Sequence, residues 1–116
     1  MIDDDVQTIL DAVPEFADCY LDLVEAADGD PGAAMVFGEL AWYVSDLTAS
    51  VEPCRCLLQR CLAAVETVAH ASADAQELVG GAFLDNLPPA DLRSLMPWFG
   101  PHTAAMVEAG DEDRCR

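Results

Sequence analysis

Lysine is absent from these 116 residues, and the first 54 contain no arginine either. Those same 54 residues hold 13 Asp and Glu, from the run Asp3-Asp4-Asp5 to Glu52. All five basic side chains (Arg55, Arg60, Arg93, Arg114, Arg116) come later, so the charge is -13 through residue 54 and -4 beyond it. A net charge of -17 argues against nucleic acid as a ligand, because phosphates would be repelled. It argues equally against anionic membrane surfaces. A surface of one sign repels itself, so it points to a partner, a solubility need or a halophilic habitat. The natural complement is a basic protein.

Other absences narrow the class further. No stretch approaches the length of a membrane span, and Met-Ile-Asp-Asp-Asp is the opposite of a basic signal peptide. The expectation is a cytoplasmic protein. Five cysteines are an odd number without disulfide-framework spacing, so reduced thiols are expected. There is no phosphate-cradling glycine-rich loop, no nucleophile elbow and no HExxH. The chain is therefore read as a non-enzyme that needs no cofactor. Strand alternation, internal repeats and low-complexity tracts are also missing. Missing lysine beside abundant Ala and Asp fits a GC-rich bacterial genome.

What is present is helical. The hydrophobic fraction of 53% makes disorder improbable despite the charge. Proline and glycine punctuate segments rich in Ala, Leu, Glu and Asp. The expected fold is all-α, a compact single-domain bundle of six to seven short helices over roughly 3–12, 14–27, 31–49, 53–71, 74–87, 90–97 and 101–109. Residues 1–109 form the domain and 110–116 a flexible tail. Asp30-Pro31 reads as a helix cap with a first-turn proline, and Asp74 with Glu77 as a capping box.

At about 100° per residue, each segment shows a face. The second helix gathers Phe16, Tyr20, Leu23, Val24 and Ala27 on one side and Asp18, Asp22 and Glu25 on the other. The fourth has an apolar face of Cys54, Leu58, Cys61, Leu62, Val65 and Ala69, and the fifth one of Val79, Ala82, Phe83 and Leu87. Gly80-Gly81 inside the fifth costs about 1 kcal/mol each against Ala, which a close helix approach or a kink would explain. In the third helix Val36, Leu40, Val44 and Leu47 make the core stripe, with Phe37 and Tyr43 beside it. Trp42 falls on the far side, sharing an azimuth with Met35, Glu39 and Asp46. An indole among carboxylates is either an interaction hot spot or a residue covered by another helix.

Chemistry-bearing clusters are few. Cys54, Cys56 and Cys61 invite a zinc reading, but Cys56 points away from the other two and no fourth ligand is near, so core-filling thiols are expected and no metal. Asp28 and Asp30 lack the remaining calcium-loop ligands and read as solvated. His70 sits on the outer side of its helix near the C-terminus, and His102 follows Gly100-Pro101 at a helix start. Neither has a nucleophile at recognisable spacing.

Several stretches resemble a family of small, uncharacterised, all-helical acidic bacterial proteins of toxin-immunity type. They are Val13-Pro14-Glu15-Phe16, Val36-Phe37-Gly38-Glu39-Leu40, the run from Leu57 through Ala69 to Ala82-Phe83-Leu84-Asp85-Asn86-Leu87, and Pro97-Trp98-Phe99-Gly100-Pro101. The resemblance implies an all-helical fold and immunity against a toxin. The leading expectation is an acidic binding protein that inhibits a basic protein partner, a toxin or a nucleic-acid-binding enzyme. Its contacts would be Asp18, Asp22, Glu25, Glu39 and Asp46, with Trp42 as apolar anchor and Met35 beside it. Two other readings are a DNA mimic, with carboxylates along two ridges, and an oligomeric scaffold that buries Trp42, Trp98 and Phe99 against a second copy.

Overall fold

Seven helices follow the proline and glycine punctuation closely. In a computed structural model, which describes residues 4–50 and 55–114, they are α1 (Asp4–Ala12), α2 (Ala17–Ala27), α3 (Ala33–Ala49), α4 (Arg55–Ala71), α5 (Ala73–Leu78), α6 (Pro89–Leu95) and α7 (Pro101–Arg114). Short 3-10 turns precede α2 and follow α6, and no strand occurs among the described residues. The chain is all-α, as its composition implied. Cys54 falls outside the described residues, so its expected place on the α4 core face is left there.

Prolines start helices where the first-turn N–H is dispensable: Pro14 opens a 3-10 turn, Pro89 opens α6 and Pro101 opens α7. Two expected caps are different in the structure. α3 starts at Ala33, and Asp30 Oδ1 instead accepts from the Gly32 N–H at 2.9 Å. That is a local Asx turn which competes with helix, so the loop absorbs Pro31. α5 is capped by Ser72, whose Oγ accepts from the Ala75 N–H at 3.0 Å, not by Asp74 with Glu77. Serine two residues earlier reaches the N3 amide, and Asp74 is left inside the first turn. α2 ends in a Schellman arrangement: Asp28 is left-handed (φ 55°), and the Gly29 N–H reaches the Val24 carbonyl at 3.1 Å.

The core gathers the faces that the helical period marked. α4 buries Leu58, Cys61, Leu62, Val65 and Ala69, and adds Ala64 and Val68. α3 buries Val36, Phe37, Leu40, Ala41 and Val44, while Leu47 and Tyr43 are half-buried. Val79, Ala82, Phe83 and Leu87 are all buried. The expected fifth helix is broken: α5 gives way at Val79–Phe83 to a π-helical turn and then to a 3-10 turn. A Cβ built on Gly80 or Gly81 would meet nothing within 4 Å, so neither glycine marks a close helix approach. The widened turn is the kink, and it keeps Phe83 and Leu84 aimed into the core.

α2 is the exception. None of its residues is buried: Tyr20, Leu23 and Val24 are half-covered and Ala27 is exposed. The molecule measures 41 × 35 × 21 Å. Its thin axis is about two helix diameters, which leaves each layer with one open face. That shape governs where α2 and α3 can present side chains.

Candidate functional site

The open face of α3 carries one row of side chains. Met35, Glu39, Trp42 and Asp46 follow a 4-3-4 spacing, which returns to the same azimuth every turn. Trp42 is 64% exposed and Met35 52%. No helix covers the indole. Asp46 is exposed and Glu39 half-buried. On α2, Asp18, Asp22 and Glu25 form a matching row, all exposed, with Leu21 60% exposed beside them.

Cys19 joins the two rows. Its thiol is pushed above the ordinary value by burial first, and then by the negative charges of Glu39, Asp22 and Asp18. Asp18 and Asp22 on α2 and Glu39 on α3 thus all lie within electrostatic reach of Cys19. Glu25 extends the α2 row beyond it, and Trp42 and Asp46 extend the α3 row. Neither the Arg60–Glu15 ion pair nor the His102–Glu66 contact involves any of the seven expected contact residues. The arrangement can attract a cation and bury apolar surface in the same place.

A second constellation lies at the α4–α7 junction, 36 residues apart in sequence. Gly100 precedes α7 and has no side chain with which to cap it. Glu66 of α4 supplies the cap. Its Oε1 accepts from the Thr103 N–H at 2.9 Å and from the Thr103 hydroxyl at 3.1 Å, and its Oε2 accepts from the His102 N–H at 3.1 Å. Oε2 also lies 2.8 Å from His102 Nδ1. Burial alone would raise the Glu66 pKa; the hydrogen bonds, that from the Thr103 N–H foremost, outweigh it and hold the carboxyl below the usual range. A Cβ on residue 100 would land within 2.6 Å of Glu66 Oε1, so only glycine leaves the carboxylate room.

His102 in turn meets His70, with Nε2 3.1 Å from Nδ1. A cleft of about 550 Å³ opens beside this cluster, lined by Gln59, Leu62, Glu66, Trp98 and Phe99 among others. Phe99 is buried within the chain and Trp98 half-buried, so Phe99 is not available to bury against a second copy. The sequence signal for the cluster was the Glu66–His70 spacing of four on one helix face, plus a capless Gly100-Pro101 helix start. Neither names its partner across the fold.

The cysteines stand apart. Cys61 is buried and its thiol is pushed up to about 12, chiefly by desolvation, while Cys56 is exposed. Cys61 fills core space as expected. Among the described residues no group of three or more His, Cys, Asp and Glu is placed to hold a metal ion, and no helix is long and apolar enough to cross a membrane. No family model, no curated protein and no solved structure matches the chain.

Proposed function

We propose that this chain is a non-enzymatic binding protein whose acidic, indole-bearing face inhibits a basic protein partner, as a toxin-immunity protein does. The observation that carries the reading is Trp42, 64% exposed in a row with Glu39 and Asp46. Large aromatic side chains that stand in water on a rigid helix bring much apolar area to an interface at little entropic cost. The surrounding carboxylates steer a cationic surface toward it and reject anionic ones.

The acids are concentrated in one half of the chain. α1, α2 and α3 all lie within the arginine-free and lysine-free first 54 residues. A toxin with a positively charged cleft would find its substrate's electrostatic site occupied. Of the basic residues that α4 carries, Arg60 is engaged in a two-pronged ion pair with Glu15, one arm of which is 2.9 Å long.

The experiment is capture by the immobilised protein in cell lysate, followed by assay of the purified partner's activity. The reading expects a basic partner, inhibited on binding, with association weakening steeply between low and physiological salt. A captured partner that is acidic, or binding that is indifferent to salt, contradicts it.

A further inference from the structure

The His70–His102 pair lies away from the acidic face and is not used by it. We propose that His70 and His102 chelate a divalent late transition ion of the zinc, nickel and copper class, with Glu66 orienting His102 from behind.

The geometry is that of two cis ligands. His70 Nδ1 and His102 Nε2 stand 3.1 Å apart. At that separation, nitrogens each bound at about 2.05 Å subtend about 100° at a shared ion, within the range of tetrahedral and square-planar sites. The rings meet at 66° with centroids only 4.6 Å apart. Two rings facing nitrogen to nitrogen in line would separate their centroids by a full ring width beyond the N–N distance. The shorter separation means that the rings meet at an angle, which an ion bridging the two nitrogens requires.

The surroundings fix the chemistry of His102. Glu66 Oε2 lies 2.8 Å from His102 Nδ1, which places the proton there and leaves the Nε2 lone pair for the ion. A carboxylate behind a ligating imidazole fixes its tautomer and holds its ring. Glu66 is itself held by the backbone of α7, and its side chain is only 18% exposed. The two imidazoles thus come from two helices locked to each other. His70 is exposed, so water completes the coordination shell. With two protein ligands the site is open, which suits an exchangeable ion. A net charge of -17 raises the local concentration of cations around it.

The chain has only two histidines, which makes the test direct. Ni2+ alone is titrated into the protein while the histidine ring proton resonances are followed by NMR. The proposal expects substoichiometric Ni2+ to broaden both rings together, before any cysteine or carboxylate neighbourhood responds. His70→Ala should weaken Ni2+ binding at least about tenfold with the far-UV circular dichroism unchanged, since His70 is exposed. His102→Ala should do the same. Mg2+ in excess should not compete, because imidazole pairs discriminate against hard cations. Broadening that begins at carboxylates or thiols, that touches one ring alone, or that survives His70→Ala overturns the proposal.

Discussion

Single residues here act through what they leave room for. Gly100 is required by the Glu66 carboxylate, which occupies the space a Cβ would take. In Gly100→Ala the Glu66 side chain must swing away and surrender its hydrogen bonds to the start of α7. Loss of a charged cap costs about 1–2 kcal/mol, so urea unfolding should show a destabilisation of that size. The same carboxylate sets a pH dependence. Its folded pKa is lowered, so its contribution is fully present above the unfolded value near 4.5 and is lost as pH falls through the folded one. Thermal melts of the wild type should therefore fall more steeply below pH 4.5 than those of Glu66→Gln, which has no carboxyl to titrate at that position. Equal slopes would show that Glu66 adds nothing to the acid sensitivity.

At the scale of elements, the π-helical turn at Val79–Phe83 is the clearest departure from regular helix. A methyl at Gly81 meets nothing within 4 Å and the residue is exposed. Gly81→Ala should raise stability by about 0.5–1 kcal/mol in chemical denaturation, through the lower entropy of the unfolded chain. A loss instead would mean that the turn needs the glycine backbone. The helices themselves were legible in the sequence because a 3.6-residue period survives translation into burial: Leu58, Cys61, Leu62 and Val65 marked α4, and Val36, Leu40 and Val44 marked α3. Helix starts were less legible. Asp30 and Asp74 look like caps, yet cap preference is a local property, and an Asx turn and a serine two residues away competed successfully. The Glu66–His102–His70 cluster was legible only in its halves, because its members meet only after α7 docks on α4, and no local pattern encodes a contact 36 residues away. Trp42's azimuth was readable. Whether a neighbour would cover it depended on the number of layers.

For the whole molecule, the deciding fact is that α3 keeps one face open. A helix packed over that face would have buried the indole, which instead stands in water. α2 is likewise without a buried residue, so its acidic row rides on a helix attached through half-covered side chains. Because Trp42 is largely exposed, Trp42→Ala should change unfolding free energy by no more than about 0.5 kcal/mol. The account's central claim is that this indole and its carboxylates form the working surface. It is tested most directly by calorimetric titration of the captured basic partner against wild type and Trp42→Ala, both verified as folded by circular dichroism. The account predicts binding weakened by about 30-fold or more, the size of a hot-spot truncation. Unchanged affinity in a folded Trp42→Ala protein would contradict it.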